Sequence, residues 1–211
     1  MRRVALVAAC LLCGTFSVAN AGPFHYGVRA GGGMTNIHGD FPDIANPKYQ
    51  PSLTVGAMTE YEIAPTLSLG IEALYVSKGA KFEGTATDPM GNPIGNTTAH
   101  LRLKYLEVPL VARVSLPSFA SVRPYVVGGP TAGFGLSARS EIDGDGEADL
   151  SDDLQSPDMG VLGGLGARFS MGSLAAAVEA RYMTGFSDLW DISGNLESIN
   201  HGFSLTLSIA R

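Results

Sequence analysis

The sequence predicts an all-β protein, an eight-stranded antiparallel up-and-down β-barrel that crosses a membrane. After residue 21, apolar and polar residues alternate with a period of two, and helical periodicity is absent. The connections alternate between tight turns and long polar loops, which is typical of an up-and-down meander. Eight such strands close into a barrel without open sheet edges. A third observation, the length of the apolar stripes, favours a membrane barrel.

The first 21 residues have the features of a secretory signal peptide. They begin with MRR, which contains two arginines, continue with an apolar stretch and end in ANA, a small-x-small cleavage site. We therefore expect residues 1–21 to be removed and residues 22–211 to form the outer-membrane barrel domain; a retained membrane anchor is the alternative. Both cysteines, Cys10 and Cys13, lie in this leader, so disulfides are not expected to stabilise the exported domain.

The exported domain is acidic and poor in lysine. Without Arg2 and Arg3 it has 12 basic and 20 acidic residues, a net charge of −8, so we expect no nucleic-acid partner. Lysine occurs only four times in the chain. A soluble β-protein of this size usually carries many charged residues on its wetted faces. Here the polar faces are instead rich in glycine, serine and threonine.

Each strand is predicted from its own alternation. The first, about 24–33, places F, Y, V and A opposite H and R; the second, about 52–62, places L, V, A, T and Y opposite G, M and E. The third, about 66–78, alternates L, L, I, A and Y with S, G and E. The remaining strands are predicted at about Leu101–Ser115, Arg123–Ser140, Asp158–Ser170, Leu174–Thr184 and Ile199–Ala210.

The connections differ in length in a regular way. Three are short, and they join strands two to three, four to five and six to seven, at residues 63–65, 116–122 and 171–173. The other four are long and polar, at residues 34–51, 79–99, 141–157 and 185–198. We expect the short turns at one end of the barrel and the long loops at the other.

Strands four and five carry irregular patterns. In LRLKY (101–105) the apolar residues are odd-numbered, whereas from Leu106 to Val114 the apolar stripe is even-numbered. We interpret this change as a β-bulge at 105/106, where the strand leaves the bilayer. In strand five, Tyr125 and Phe134 have opposite parity, which leaves its faces ambiguous.

Alternation alone does not determine which face is outside. The apolar stripes are about nine residues long, the length of a tilted strand that crosses a bilayer. With the short turns in the periplasm, aromatic residues fall near both ends of the strands, as in the girdles of outer-membrane barrels. We predict a girdle of Phe24, Tyr26, Tyr61, Tyr125 and Phe169 on the periplasmic side and Tyr75, Tyr105 and Tyr182 on the outer side.

The opposite face carries charges of both signs among glycine and serine. In the narrow lumen of an eight-stranded barrel such charges must pair. We predict a lumen network of Arg29, Glu60, Glu72, Glu107, Arg113, Arg168, Glu179 and Arg181. Scattered surface charges are the alternative.

Five segments also resemble the PorT-like family of outer-membrane β-barrels. They are, in order, GVRAGGGMTNIHGD, LSLGIEALYVSKGAK, LKYLEVPLVARV, RPYVVGGPTAGFGLSARS and DMGVLGGLGARF. The resemblance covers nearly the whole exported domain and is most specific at YLEVP and the PY–GP–LSA segment after it. It implies an eight-stranded barrel in the outer membrane of a Gram-negative bacterium, without a common enzymatic activity and, for a few members, with a link to protein secretion.

The C-terminus differs from outer-membrane barrels in general, because the chain ends SIAR without a terminal aromatic residue. Phe203, Leu205, Leu207 and Ile209 still alternate in the last strand. We therefore expect insertion by the barrel-assembly machinery.

The loop EIDGDGEADLSDD is the best candidate for a ligand site. Aligned with a calcium-binding loop, its acidic residues fall at ligand positions, but no helices flank it, and a solvated acidic loop is the alternative. The candidate calcium ligands are Glu141, Asp143, Asp145, Asp149 and Asp152. We expect no other metal and no cofactor.

Catalysis is not expected. His201 and Ser204 are three residues apart on one strand, so they face opposite sides and do not form a nucleophile–base pair. We expect a monomeric barrel in contact with outer-membrane lipid, with a side-chain-filled lumen too narrow for a diffusive pore. Its function would reside in the outer loops, as surface recognition, adhesion or envelope integrity, with a possible extracellular or secretion partner. The alternatives are a soluble periplasmic barrel that carries an apolar ligand and an accessory component of a secretion machine.

Overall fold

A computed structural model describes residues 24–39, 46–87, 90, 93–142, 146–151, 157–186 and 198–211. The leader predicted for residues 1–21 lies outside these ranges. The described residues form nine strands and include no helix long and apolar enough to cross a membrane. The strands are β1 (Phe24–Gly39), β2 (Asn46–Ala64), β3 (Leu67–Thr87), β4 (Pro93–Ser115), β5 (Val122–Ile142), β6 (Gly146–Asp149), β7 (Asp158–Met171), β8 (Leu174–Gly185) and β9 (Ser198–Ala210).

Eight of these strands close into an antiparallel barrel, which confirms the predicted fold class. Each strand pairs with the next along the ring β1-β2-β3-β4-β5-β7-β8-β9, and β9 pairs with β1 to close it. The remaining strand, β6, has four residues, lies in the connection 141–157 and, among the described strands, pairs only with the end of β5. Tight turns join β2 to β3 and β7 to β8; in the latter, Gly172 has φ +64°, a left-handed conformation that glycine adopts without strain.

The strands on the long-loop side extend further than their alternation predicted. The predicted loop 79–99 is instead mostly strand, because β3 and β4 stay paired from Gly79↔Arg102 to Ala86↔Gly95. The connections 34–51 and 141–157 likewise contain strand residues. These strands could not be recognised from an outward apolar stripe, because in these segments the outward residues are mostly polar and contact water.

The apolar stripe faces outward. Ile71 and Leu110 lie directly opposite each other on β3 and β4 and are 48% and 53% exposed. The neighbouring Glu72 and Arg113 are each 2% exposed inside the barrel. Exposed aliphatic side chains around buried charges are the arrangement of a barrel in lipid, and this excludes the alternative of a soluble carrier with an apolar interior.

The polarity of the barrel reverses towards the long-loop end. On β4, Leu106 and Leu110 face outward and Glu107 and Arg113 inward, but beyond Tyr105 the outward residues are Arg102 and Lys104. Leu101, Leu103, Ile37, Ala80, Ala138 and Tyr105 form an apolar cluster inside this outer part of the barrel. The membrane part is thus apolar outside, and the outer extension is apolar inside, as in a water-soluble barrel.

The predicted bulge at 105/106 of strand four is therefore wrong. The odd-numbered residues of β4 face inward from Leu101 to Arg113 without a break. A register shift does occur there, but the extra residue is Leu136 on β5, because Lys104 pairs with Ser137 and Tyr105 with Gly135. The apolar residues are odd-numbered before Leu106 and even-numbered after it because the inward face is apolar in the outer extension, whereas the outward face is apolar in the membrane part.

Two prolines interrupt the pairing of β4. Pro109 is fully buried, and no ladder pair joins it to β3; Pro130 on β5 lies in a similar gap between β4 and β5, opposite Leu110. Proline has no N–H to donate to a ladder. The register is the same on both sides of each gap, so the strands continue.

Candidate functional site

Charged side chains meet inside the membrane part of the barrel. They come from inward-facing positions on β1, β2, β3, β4 and β8, and each is at most 7% exposed. They are Arg29, Glu60, Glu72, Arg113, Glu179 and Arg181. Together with the half-buried Arg168 on β7, they form a set called here the lumen network.

Arg29 links its own strand to three others. Its Nη1 donates to Glu179 Oε1 at 2.8 Å and to Thr206 Oγ1 at 2.7 Å. Its Nη2 lies 3.4 Å from Glu72 Oε1. The guanidinium therefore links β1 to β8, β9 and β3 across the seam where the first and last strands pair.

Arg181 and Arg168 each bind both oxygens of one glutamate. Arg181 donates to both oxygens of Glu72 at 2.7 Å, and its Nε contacts Glu179. Arg168 donates to both oxygens of Glu60 at 2.8 and 2.7 Å. Arg181 uses both terminal nitrogens, which is the strongest geometry for arginine and carboxylate, whereas Arg168 uses Nη2 alone.

Arg113 joins the two halves of the lumen network. It contacts Glu60, and its Nη2 lies 3.3 Å from Glu179 Oε2. The Glu179 carboxylate also accepts a hydrogen bond from Tyr125 Oη at 2.7 Å, and Ser68 Oγ donates to Glu60 at 2.6 Å. Each of the three glutamates thus meets at least two arginines. This offsets the cost of removing charges from water.

A second polar cluster lies nearer the outer end and includes Glu107. Lys78 Nζ is 2.5 Å from Glu107 Oε1 and 3.6 Å from Asp158 Oδ2. Asn200 Nδ2 donates to Asp158 Oδ2 at 3.1 Å. The structure therefore separates Glu107 from the other seven residues of the predicted network and pairs it with Lys78.

Side chains occupy the described interior from the lumen network to the apolar cluster. A cavity of about 50 Å³ lies between the two polar clusters, lined by Arg29 and Arg181 from one and Lys78 and Glu107 from the other. It has room for only a few water molecules. Above Lys78, whose Nζ lies 4.9 Å from the centre of the Tyr105 ring, the apolar cluster occupies the barrel interior.

Two residues of the predicted aromatic girdle are inside the barrel instead. Tyr105 is 0% exposed and Tyr125 is 2% exposed. The physical reason is a glycine on a neighbouring strand: a Cβ on Gly166 would lie 2.5 Å from the Tyr125 ring, and one on Gly133 would lie 3.3 Å from Tyr105. These glycines leave the space that the rings occupy.

The remaining girdle residues lie on the outward face or at its edge. Phe24, Tyr61, Phe169 and Tyr182 are 54%, 51%, 37% and 52% exposed, whereas Tyr26 and Tyr75 are half-buried.

Sequence reasoning missed Lys78 and Asp158. A signal was present for Lys78, because it shares the even parity of Glu72 on β3. Asp158 begins β7, where no alternation precedes it. Neither residue could be assigned to the inner or the outer face of the barrel before the register of the strands was known.

The calcium candidate is only partly described. Glu141 pairs with Arg102 at 2.9 Å, and the Asp149 carboxylate accepts a hydrogen bond from the backbone N–H of Ser151 at 3.0 Å. Asp143, Asp145 and Asp152 lie outside the described residues, so calcium binding here stays a prediction. Within the described ranges, no three acidic, histidine or cysteine side chains are grouped as metal ligands.

The histidine and serine considered for catalysis are on opposite faces. Ser204 has the same parity on β9 as the buried Thr206, which hydrogen-bonds to Arg29 in the lumen. His201 is of opposite parity and stacks edge-on against Tyr49, with 5.7 Å between ring centres. They cannot act on one substrate.

Comparison with known proteins gives a family match over most of the chain. Residues 16–191 match the family model described as outer membrane protein beta-barrel domain. A search of curated proteins gives no match.

Several solved structures are similar in fold. Neisserial surface protein A is 12% identical, with 90% of this chain and 98% of that chain covered and a TM-score of 0.48. Ail, the attachment invasion locus protein of Yersinia pestis, is 13% identical, with coverages of 89% and 98% and a TM-score of 0.42. The N-terminal barrel domain of Pseudomonas aeruginosa OprF is 9% identical, with coverages of 89% and 97% and a TM-score of 0.39. These similarities carry no information on activity.

Proposed function

Because the chain belongs to the outer membrane protein beta-barrel domain family and lies in the outer membrane of a Gram-negative bacterium, we propose that it is a closed, non-enzymatic barrel that acts through its extracellular hairpins. The role would be surface recognition, adhesion or envelope integrity. The barrel would then serve as a rigid support for the segments outside the cell.

The observation that supports this proposal is the filled lumen. The lumen network, the Lys78–Glu107 cluster and the apolar cluster follow one another along the barrel axis. A path for solutes would require breaking several buried ion pairs, each costly to separate. Transport through the lumen is therefore disfavoured, which leaves the outer surface as the functional part.

The hairpin of β3 and β4 supports an extracellular role. It stays paired for thirteen residues beyond Leu106 on β4, to Pro93. At about 3.3 Å per residue this is on the order of 40 Å along the strand. A paired hairpin of this length presents a defined surface well outside the lipid.

The test has two parts. Purified, folded protein in a planar lipid bilayer should give no steady conductance; a stable open level would contradict the proposal. In cells, residues 84–97 are replaced by Asn-Gly, because Glu83 and Thr98 lie directly opposite and a two-residue turn joins such a pair.

Cells with the shortened hairpin should behave like cells without the gene in surface attachment and detergent sensitivity. Heat-modifiable migration on gels, the shift of folded barrels in unboiled samples, checks that the variant still folds. If the folded, shortened barrel behaves like the wild type, the function resides in the barrel itself and the proposal is wrong.

A finer proposal is membership of the PorT-like family, which rests on the YLEVP segment (residues 105–109) and the segments around it. It would add a link to protein secretion through a periplasmic or membrane partner. Crosslinking in intact cells followed by purification of the barrel tests it: a co-purified secretion component would support it, and purification of the barrel alone would contradict it.

A further inference from the structure

The basic residues of the described barrel are unevenly distributed. Five are inside it, and Arg123 and Arg211 lie at the short-turn end. The other five lie on one side of the outer rim, on neighbouring strands β2 to β5, and are at least partly exposed. These are Lys48, Lys81, Arg102, Lys104 and Arg139.

Three of them form what we call the basic patch, Arg102, Lys104 and Arg139. They point outward, because Leu103 and Ala138 next to them are fully buried in the apolar cluster. Arg102 and Arg139 are directly opposite each other on β4 and β5. Like charges in this position destabilise a sheet unless an anion lies between them.

Two described carboxylates lie next to the arginines of the basic patch. Glu141 pairs with Arg102 at 2.9 Å, with both side chains about half exposed. Asp149 is the register partner of Arg139, and its carboxylate is also hydrogen-bonded by Ser151. Lys104 has no ion-pair partner among the described residues, so these three cations and two carboxylates leave one positive charge, at Lys104.

The position of the basic patch along the barrel axis indicates which part of the membrane it contacts. The outward apolar stripe of β4 runs from Leu106 to Val114; at about 3.3 Å per residue and a tilt of about 40°, it rises about 20 Å of the roughly 25 Å apolar band of such barrels. Lys104 is the next outward residue, so it lies at the level of the lipid headgroups. Directly below it, Leu106 and Phe134 are paired and 40% and 43% exposed.

We propose that the basic patch binds the phosphate groups of the phosphorylated glycolipid in the outer leaflet, while the acyl chains of that lipid lie on Leu106 and Phe134. Guanidinium groups suit this ligand because their forked donors match two phosphate oxygens. The site is on the outer wall of the barrel. It does not depend on the function proposed for the hairpins.

The test measures binding of the bisphosphorylated lipid anchor of lipopolysaccharide to the full, folded protein in neutral detergent, by native mass spectrometry. The wild type should bind this lipid at least about tenfold more tightly than the same lipid without phosphates, since each cation near a lipid surface contributes to affinity. The triple variant R102Q/K104Q/R139Q should lose about that factor. The matched control, Arg123→Gln at the opposite end, should bind like the wild type.

Two further variants separate recognition from misfolding. Glu141→Gln removes the carboxylate that competes for Arg102 and should bind the lipid more tightly than the wild type, a gain that a folding defect cannot produce. Lys104→Arg keeps the charge and should retain binding. Heat-modifiable migration checks that each variant is folded.

Two results would overturn the proposal. One is equal affinity of the folded triple variant and the wild type. The other is competition by an acyl-free glucosamine bisphosphate or by a sulfated polysaccharide as strong as that by the lipid, which would make the patch a general polyanion site. Weak competition by these soluble anions is the result we expect.

Discussion

Arg29 and Glu179 are 150 residues apart in the sequence and form a buried ion pair, with 2.8 Å between Arg29 Nη1 and Glu179 Oε1. Arg29 lies on β1 and Glu179 on β8, and β9 runs between them. The pair therefore spans the seam at which the barrel closes. The Arg29–Glu179 ion pair can therefore form only when β1 and β9 have paired and the barrel is closed.

The first prediction concerns this pair. Glu179→Gln keeps the shape of the side chain but leaves Arg29 and its neighbours with uncompensated charge. We expect the free energy of unfolding to fall by about 3–5 kcal/mol, as for other broken buried ion pairs. Urea unfolding in detergent, followed by heat-modifiable migration, measures this change.

The control for that experiment is Glu62→Gln. Glu62 is 40% exposed and lies 3.5 Å from His25 at the short-turn end. Exposed pairs contribute little, so the loss should stay within about 0.5 kcal/mol. Equal effects of the two variants would show that the lumen network does not stabilise the barrel.

The second prediction tests the lipid-facing surface. Leu110 is at the middle of the outward stripe of β4, and Val114 is at its short-turn end. Leu110→Arg should cost about 2–4 kcal/mol of stability in a bilayer, and Val114→Arg about 0–1 kcal/mol, because the cost depends on depth. Folding titrations in lipid vesicles give both values, and the absence of any depth dependence would contradict the proposed position in the membrane.

The third prediction tests the glycine that makes room for Tyr125. In Gly166→Ala the new Cβ would lie 2.5 Å from the Tyr125 side chain and 2.7 Å from the Val178 backbone oxygen, so the ring must shift; we expect a loss of about 1–3 kcal/mol. Gly163→Ala on the same strand is the control, because nothing lies within 4 Å of its Cβ. Because Tyr125→Leu itself removes the hydrogen bond to Glu179, Gly166→Ala is also measured in the Tyr125→Leu background, where it should cost less than in the wild type; an equal cost would place the clash elsewhere.

The fourth prediction tests whether the lumen is closed. The chain has no cysteine after residue 13, so a single introduced cysteine in residues 22–211 is a clean probe. Thr206 is 2% exposed inside the barrel, whereas Lys104 is exposed on the outer rim. Thr206→Cys should react with a water-soluble maleimide on the order of tenfold or more slowly than Lys104→Cys, because it becomes accessible only on opening. Equal rates would indicate a water-filled lumen.

The fifth prediction concerns Glu83, which lies on the outer rim beyond the membrane-spanning residues. Hydrogen bonds from Lys48 and Lys81 lower the pKa of Glu83 from 4.5 to about 2. The contact therefore favours the folded rim above pH 4.5, and this contribution is lost as the pH falls through about 2. A ¹³C NMR titration of the carboxyl group should show a midpoint near 2, and Lys48→Met should move it towards 4.5; a midpoint near 4.5 in the wild type would exclude the pairing.

Much of the fold could be predicted from local patterns. Alternation located the eight barrel strands, the turn lengths ordered them, and parity placed Glu72 and Arg113 on the face opposite Ile71 and Leu110. Alternation reports which residues share a face, and this property is local. The length of the stripe then indicated which face contacts lipid.

The positions of Tyr105, Tyr125 and Lys78 depended on the tertiary structure. Each ring is accommodated inside the barrel by a glycine on another strand, and Lys78 is placed next to Glu107 by the register of β3 and β4. Register between strands is a long-range property that no local pattern contains. Sequence therefore determined the strands and, within most of them, which residues share a face. Only the closed barrel, with hydrocarbon around one part and water around the other, decided whether an inward face is charged or apolar and placed Tyr105 and Tyr125 inside.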